Sequence, residues 1–525
     1  INVAEDNSLT IYAQSSGDSA GALVAVGNKY QAGIGGNTKQ NSGSITINGG
    51  TVNTTGGYMG AGIGGGRNGA GGNIIINSGK VTATTVQFGA GIGSGDQCSI
   101  YNNATNITIN GGDVTAIGVD SSAGIGGGSS GGGCTIKITG GNVNAQGGVY
   151  ASGIGSGRLG SNGIIEISGG VITTTGGIEG AGLGSGTGGK GGTITITGGT
   201  VNACGGNKGA GIGSGERGWG GTITITGGTV DATSENSGAG IGGSGTPGTF
   251  STGANGNAFI TTSSIADQSS KEDWSGVIFE GNDGAVYGEQ TIQTDTEIPA
   301  AKTLTIPDGS ILTISSGVTL TNNGTIINNG TIKNNGTIIN NGIIINYTTI
   351  DNNNGTIHVE SGGKLGGKPV EGGTVNLPPT PEQYPNLTPG DTYWFDLSKA
   401  EIPGTPNAEK PSIPDTTLHW VPFTYVGTVN AYKLTSEQAT TEEYATRNKY
   451  DHSLFIADYN VTHTVSWYDL NAAGKIFGTD YTSGGIKYIL RAPSVGSDNN
   501  DKTTPESNGW DTILNKDPSH RGWIK

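Results

Sequence analysis

The sequence predicts a mainly β protein: a three-sided parallel β-helix with 29-residue coils that continues into a second β-solenoid, followed by a C-terminal α+β domain. Three observations predict this fold class. The motif AGIG recurs at a nearly constant spacing through the first half of the chain, a six-residue NNGTI pattern recurs later, and Trp becomes frequent only near the end. Fixed periods of this kind are typical of solenoids.

The first repeat is anchored on the Ile or Leu of AGIG. Successive anchors are separated by 29, 29, 33, 29, 29, 29 and 29 residues. The anchors are Ile34, Ile63, Ile92, Ile125, Ile154, Leu183, Ile212 and Ile241. Aliphatic residues recur 11, 13 and 18 positions after most anchors, and the long coil places its extra residues between positions 95 and 106.

Each coil contains three short predicted strands, AGIG, TITIT and TVNA, separated by glycine corners. Alternation with period two puts Ile and Val on one face of a strand and Thr or Asn on the other. Coils stack at about 4.8 Å, so eight coils make a rod of about 40 Å with ladders of identical residues. Glycine adopts the positive φ of corners, and in AGIG its missing side chain lets this wall approach the axis. A phosphate-binding loop would instead open a helix, and no helical period follows.

A second repeat begins at Leu304. Its Ile residues stand six apart, at Ile326, Ile332, Ile338 and Ile344. This hexapeptide period predicts a narrower solenoid in which Asn and Ile stack between coils.

The predicted domains are residues 1–262 (β-helix), 263–375 (second solenoid) and 391–525 (α+β), with a Pro-rich linker over 376–390. The last domain holds five of the seven Trp. A helix is expected in WYDLNAAGKIF, where Asp469 precedes an Ala-rich amphipathic turn.

Charge and cysteine content exclude several functions. Residues 1–262 hold 9 basic and 11 acidic residues and the remainder holds 17 and 30, so we expect no nucleic-acid partner. Cys98, Cys134 and Cys204 match no metal spacing and are expected to be small apolar fillers, with a bridge between two of them left open. No apolar run is long enough to span a membrane and no signal peptide is visible. The composition favours an extracellular, cell-surface or cell-wall location in a bacterium, and the start in mid-pattern favours a mature fragment.

The AGIGGG and TITITGGTV motifs, over about residues 20–245, resemble the glycine-rich repeats of large cell-surface proteins in Gram-positive gut bacteria. This resemblance implies a β-helical stalk or adhesin and carries no catalytic residues.

The segment HTVSWYDLNAAGKIFG, with the later YILRAPSVGSDNN and NGWDTIL, is similar to the C-type-lectin-like fold of the formylglycine-generating-enzyme class. The places that match the class are Val465–Ser466–Trp467, Arg491–Ala492–Pro493 and Trp510. The tail contains no Cys, so the resemblance does not imply the oxidase activity of that class, and the domain is expected to be incomplete.

One candidate ligand site is formed by Glu216, Arg217 and Trp219, which interrupt a glycine corner. A projecting Trp can stack on the apolar face of a sugar, whereas a solvent-exposed turn is the simpler interpretation. Trp467 and Trp510 in the tail are further ligand-binding candidates.

A candidate Ca²⁺ site is formed by Asp498, Asn500 and Asp501, which offer oxygen ligands within one loop. A solvated polar turn is the alternative, and no other cofactor is expected. The five His form no pair at metal-ligand spacing.

No catalytic residue is identified. Glycosidases need two carboxylates at a defined separation, and the acids of the coils fall at different offsets from their anchors, so we expect them to be scattered. These acids are Asp113, Asp120, Glu166, Glu179 and Asp231. Asp96 is expected, with Cys98 and Tyr101, in a loop bulge made by the four-residue insertion.

The sequence favours a surface stalk or adhesin that is not an enzyme and that displays a binding domain for carbohydrate or for a host or bacterial surface protein. One alternative is a β-helical polysaccharide lyase or glycosidase, which would show a groove with paired carboxylates. Another is a self-assembling filament, against which a cap over residues 1–20 would argue. That segment is itself interpreted as an extra irregular coil.

Overall fold

The computed structural model describes residues 1–13, 21–98, 105–131, 134–160, 163–266, 271, 274–360, 362–367, 370–376, 388–390, 392–395, 397–398, 400–406, 418, 421–429, 452–457, 461–476, 478–483 and 486–492. The chain forms two compact units, Ile1–Gln290 and Thr291–Lys525. The described part of the chain is mainly β, with long parallel ladders, which confirms the predicted fold class. The domain limits at 262, 375 and 391 stay predictions.

The first unit has three walls of parallel strands. The AGIG wall consists of Ile34–Gly35, Ile63–Gly64, Ile92–Gly93, Ile125–Gly126, Ile154–Gly155, Leu183–Gly184, Ile212–Gly213, Ile241–Gly242 and Ile265–Ala266. The TIT wall consists of Ser8–Ile11, the first halves of Ser44–Gly56 and Gly72–Thr85, Thr105–Ile109, Thr135–Ile138, Ile164–Ile167, Thr193–Ile196, Thr222–Ile225 and Thr249–Ser251. The TVN wall consists of Ala22–Val26, the second halves of the same two long strands, Asp113–Ile117, Asn142–Gln146, Val171–Thr175, Thr200–Gly205, Thr229–Ser234, Phe259–Thr262 and Gly276–Glu280.

Identical residues stack between coils, as the period predicts. Ile136 pairs in register with Ile165, and Ile165 with Ile194. Across the long coil Ile74 still pairs with Ile107, so the extra residues do not disturb the ladder. Inward-facing Ile and Val are buried in one continuous core, and burial of this apolar surface is the main force that holds the coils together.

Glycine in the AGIG wall is required by the closeness of the stacked backbones. Gly64 has φ +131°, and a β-carbon built there would collide with the carbonyl oxygen of Gly93 in the next coil. A β-carbon built at Gly62, two residues earlier, would also collide with the carbonyl oxygen of Gly91 in the next coil. The absent side chains therefore let the backbones of neighbouring coils approach closely, whereas the sequence was expected to use them for a close approach to the axis.

Both ends of the first unit depart from the 29-residue pattern. At the start, Val3 donates to the Gly35 carbonyl and Ser8–Ile11 pairs with the TIT wall, which is the extra irregular coil that the sequence predicts. At the other end, aromatic residues replace Ile and Gly, and Gly276–Glu280 forms an antiparallel hairpin with Asp283–Tyr287. Trp274 makes edge contacts with Phe250 and Tyr287 at ring-centroid distances of 5.2 and 5.4 Å. The pattern fades at residue 246, yet the coils continue beyond it.

The second unit begins with a solenoid of shorter coils. One wall consists of Thr296–Ile298, Thr319–Asn322, Thr337–Asn340, Thr356–Val359 and Thr374–Asn376. The second wall consists of Thr303–Ile306, Thr325–Asn328, Ile343–Asn346 and Lys364–Gly367. The third wall consists of Ile311–Ile314, Thr331–Asn334 and Thr349–Asp351. The strand Glu289–Ile292 includes the last residues of the first unit and the first residues of the second. Thr325 pairs with Ile343 and Thr331 with Thr349, so three hexapeptides make one coil of 18 residues. The hydrogen-bonded side chains of Asn328 and Asn346 are separated by the same 18 residues.

Asn side chains form buried ladders inside this solenoid. Asn334 Nδ2 donates to Asn352 Oδ1 over 2.7 Å and to the Thr356 carbonyl over 3.1 Å. Asn328 and Asn346 are joined in the same way over 2.7 Å. Because a buried amide is costly unless it is hydrogen-bonded, these ladders fix the register of the coils.

The C-terminal part contains antiparallel strands and one described helix. Thr392–Phe395 pairs with Val421–Val429, which pairs with His452–Ala457; Thr405–Pro406 pairs with Thr462–His463, and Thr479–Ser483 with Ile486–Leu490. The helix spans Trp467–Ala472 as predicted, and Ser466 and Asp469 form a capping box at its start. Phe395 packs edge-on against Phe423 and Tyr488, so some of the aromatic residues of this region form its core.

Substituting Gly64 with Ala tests the close approach of coils. We expect Gly64→Ala to lower the free energy of unfolding by about 4 kcal/mol, because the new β-carbon displaces a neighbouring main chain and occupies a positive φ. Urea denaturation of the full chain followed by circular dichroism measures this change. Gly21→Ala, where no atom lies within 4 Å of the added carbon, is the control and should be nearly neutral. Equal stability of both variants would contradict close stacking.

Substituting Asn334 with Ala tests the buried amide ladder. The change leaves the Oδ1 atom of Asn352 and the Thr356 carbonyl without their donor, so Asn334→Ala should cost about 2–4 kcal/mol. Asn341→Ala removes a bond of equal length, from Asn341 Nδ2 to Asn323 Oδ1 (2.7 Å), on the exposed surface and should cost less than about 1 kcal/mol. Urea denaturation measures the free energy of unfolding of both variants. A similar loss of stability in the two variants would contradict the idea that burial makes the Asn ladder important.

Candidate functional site

Two turns of each coil, one before and one after the AGIG strand, interlock between coils. The residue four positions after an anchor donates its N–H to the carbonyl of the residue four positions before the preceding anchor. The bond from Asp96 to Met59 is 2.9 Å long, and that from Glu216 to Glu179 is 2.8 Å. We call this surface the turn face: the residues four to six positions before and four to seven positions after each anchor.

The turn face concentrates the non-repeating side chains of the first unit. The walls present mainly Thr, Asn and Ser to solvent, whereas most large apolar residues that are exposed in the regular coils lie on the turn face. These are Tyr58, Val86, Val119, Val149, Leu159, Ile178 and Trp219. Exposed apolar residues that cluster in this way mark interaction surfaces, and in solenoids the variable positions often form the binding face.

Glu179 and Glu216 meet on the turn face, although the sequence analysis expected the acids of the coils to be scattered. Lys208 Nζ donates to Glu216 Oε1 over 3.1 Å and lies 4.0 Å from Glu179 Oε1. The hydrogen bond from Lys208 lowers the pKa of Glu216. The expectation was wrong for this pair because offsets of four before and four after an anchor are far apart along the chain yet adjacent once the turns interlock.

Trp219 projects from the same region and is 58% exposed. Lys190 Nζ of the preceding coil lies 5.1 Å from the centre of its ring, and the main chains of the two residues form a parallel bridge. Arg217 Nε lies 3.8 Å from Glu216 Oε1, and the Arg217 side chain is exposed to solvent. The predicted trio therefore surrounds an exposed aromatic ring with charged groups from two coils.

A shallow groove of about 460 Å³ begins directly after Lys190 and Trp219 in their coils. Its floor consists of Gly191, Gly220 and Gly248 with their neighbouring glycines, and Thr193 and Thr222 contribute hydroxyl groups. It crosses four coils. Because glycine lacks a side chain, a ligand can approach the main chain closely here.

Asp96 belongs to the regular turn and not to the insertion, which corrects the sequence expectation. It is 4% exposed and donates its N–H like its counterparts in other coils, and Gln97 after it has a φ of +55°, close to the +61° of Asn68 at the same place in the preceding coil. Burial raises the pKa of Asp96 to about 6, against the opposing effect of Arg67. Residues 99–104, with Tyr101, lie outside the described residues.

The three cysteines are free thiols, and Cys98 and Cys134 are buried. Burial raises the pKa of Cys134 to about 12, so it is an inert filler in the core, as predicted. Within the described ranges no group of three His, Cys, Asp or Glu is arranged to hold a metal ion. A search of the same ranges for a helix both long and apolar enough to cross a bilayer found none.

Several predicted site residues cannot be placed. Trp510, Asp498, Asn500 and Asp501 lie outside the described residues, so their assignment stays a prediction. Trp467 begins the capped helix, but the placement of its side chain is not described.

The comparisons with known proteins agree with this architecture. Six segments of the first unit match the family of β-helix repeats: residues 45–67, 74–96, 107–129, 136–158, 194–216 and 223–245. Each match runs from the TIT wall through the turn before the next anchor and ends on the first residue of the turn after it. Searches of curated proteins and of solved structures gave no match.

The raised pKa of Asp96 predicts a pH-dependent stability. The pKa of Asp96 is higher in the folded protein than its ordinary value of 3.8, so the fold favours the protonated carboxyl group. The contribution of this group to folding stability is therefore complete below about pH 4 and is lost as the pH rises through about 6, where the folded protein must ionise it. Asp96→Asn should therefore stabilise the protein by about 1–2 kcal/mol near neutral pH and change little near pH 4. Thermal unfolding at both pH values measures the difference. Asp113→Asn, at an exposed wall position, is the control, and an equal response in both variants would contradict burial as the cause.

Proposed function

Because the chain is a β-helix repeat protein, we propose that it is a secreted or cell-wall-attached bacterial surface stalk of the adhesin type, which binds carbohydrate and catalyses no reaction. Continuous inter-coil hydrogen bonds support a stiff rod, and a stiff rod is what a stalk requires. The resemblance to glycine-rich surface proteins of gut bacteria supports the extracellular location.

One observation carries the proposed carbohydrate binding: Trp219, which is exposed, directly precedes the glycines that line a groove across four coils. The apolar face of a sugar packs on such a ring, and the hydroxyl groups of Thr193 and Thr222 with the glycine main chain supply polar contacts. A groove along several coils suits a chain of sugars better than a compact ligand.

The C-terminal part is proposed to carry a second, lectin-like binding domain. The helix that begins directly after Ser466, with its capping box, supports the V-S-W helix start of that resemblance. A host or bacterial surface protein as ligand, self-association into filaments, and Ca²⁺ at Asp498, Asn500 and Asp501 also remain proposals.

A carbohydrate-active enzyme is the second candidate, and the meeting of Glu179 and Glu216 favours it. Glycoside hydrolysis requires one carboxyl group with a raised pKa to act as an acid. Lys208 has the opposite effect on Glu216, whose pKa it lowers. The cluster therefore fits an ion network better than an acid–base pair.

Substituting Trp219 tests the proposed function. The full chain should bind at least one member of a panel of neutral and acidic polysaccharides in affinity electrophoresis, and Trp219→Ala should weaken that binding about tenfold. Trp219→Phe should restore part of it, because a ring remains.

The control is Tyr468→Ala, which removes an exposed aromatic residue of the C-terminal helix. Loss of binding in this variant alone would move the site to the C-terminal domain and contradict the groove. Release of reducing ends or of unsaturated sugars from a polysaccharide by the wild-type chain would show instead that the protein is a carbohydrate-active enzyme.

A further inference from the structure

The cations of the first unit are concentrated on the turn face. Of the nine Lys and Arg in residues 1–262, seven lie at turn-face offsets and two lie on the walls. The seven are Lys29, Lys39, Arg67, Arg158, Lys190, Lys208 and Arg217, and the other two are Lys80 and Lys137. The walls repeat the same residue types from coil to coil because their side chains stack in ladders. Charged residues that differ between coils are therefore found mainly on the turn face, where the main-chain hydrogen bonds repeat but the side chains can vary.

The acids of the turn face are already engaged by the protein. Glu179 and Glu216 share Lys208. Asp120 accepts hydrogen bonds from Gln87 Nε2 and from Ser121 Oγ, both over 3.0 Å. Asp96 is buried. Four of the five acids at these turns are therefore hydrogen-bonded, paired with a cation or buried, and are less accessible to a ligand than freely exposed carboxylates.

Several cations, in contrast, lie on aromatic rings and not on carboxylates. The Arg158 guanidinium is 5.5 Å from the Tyr150 ring centre, and Lys190 Nζ is 5.1 Å from that of Trp219. Lys29 lies 5.3 Å from the ring centre of Tyr30. Among the described residues no carboxylate forms an ion pair with these three cations. A cation on a ring stays available to an anion while the ring remains available to an apolar surface.

These cation–aromatic pairs recur along the rod. Tyr30 lies before the first anchor, Tyr150 before the fifth, and Trp219 after the seventh. At about 4.8 Å per coil the outer pairs are separated by roughly 30 Å along the axis. Exposed Leu159 directly follows Arg158, and exposed Ile178 lies in the next coil. Positive charge and apolar surface therefore occur together on the turn face.

We propose that the turn face binds an acidic polysaccharide whose chain lies along the axis of the first unit. This inference rests on the proposed carbohydrate binding and adds the ligand class. Sugar carboxylates pair with Arg158 and Lys190, while sugar rings pack on Tyr150 and Trp219. A nucleic acid is disfavoured because the cations of the turn face are separated along the coils and form no continuous basic surface.

The experiment compares polygalacturonate with its carboxyl-reduced, neutral form. The wild-type full chain should bind polygalacturonate about tenfold more tightly than the neutral polymer, and added salt should reduce this preference. The double variant Arg158→Gln, Lys190→Gln should lose about tenfold in affinity for polygalacturonate and little for the neutral polymer. Isothermal titration calorimetry supplies the affinities.

The matched control is Lys80→Gln, Lys137→Gln, which removes the same charge from exposed wall positions and should bind like the wild type. Equal loss in both double variants would show an effect of net charge and overturn the proposal. Equal binding of both polymers would overturn the acidic preference and leave the proposed carbohydrate binding intact. Absence of binding to every polysaccharide would overturn both the proposed carbohydrate binding and the acidic preference. Tighter binding of single-stranded DNA than of polygalacturonate would overturn the proposal and identify a nucleic acid as the ligand.

Discussion

Close contact between the main chains of successive coils is the constraint on which the first unit depends. In the AGIG wall the backbones approach until a β-carbon at Gly64 would collide with the next coil, so the wall has no room for side chains beyond its inward Ile. The adjoining turns must leave and rejoin this wall with the same main-chain bonds in every coil. Side chains that differ between coils are therefore concentrated on those turns, where we propose that the ligand binds.

The second solenoid meets the same requirement with side chains. Its coils are shorter, and buried Asn residues occupy positions that larger coils fill with Ile. In Asn322, Asn328 and Asn334 the Nδ2 atom bonds to the amide oxygen of an Asn in the next coil and to a main-chain carbonyl. Such ladders require every Asn to have a partner above and below. At the first coil the Oδ1 atoms of Asn322 and Asn328 face Ile298 and Ile306 in register, and they have no hydrogen-bond partner there.

Period and residue type were sufficient to predict the walls, because a ladder makes each coil constrain the next. Ile136, Ile165 and Ile194 could be aligned from spacing alone. The aromatic end of the first unit was not predictable in the same way, since Phe250 and Trp274 replace the repeat and leave no period to count. Glu179 and Glu216 were missed for a geometric reason: a search for equal offsets finds neighbours within one wall, whereas interlocked turns bring unequal offsets together. Comparing offsets of equal size and opposite sign around each anchor would have found them.

Net charge is a poor guide to the ligand of a protein built in this way. Beyond about 8–10 Å, interactions between exposed charges are screened at physiological salt, so Asp113 and Asp231 on the TVN wall count for little at another face. What a ligand meets is decided by local pairing. Where Lys208 pairs with Glu216 beside Glu179 and Lys190 lies on an indole, an acidic chain exposes basic groups. A solenoid creates this separation readily, since each wall repeats its own chemistry and leaves the remaining charges to the turns.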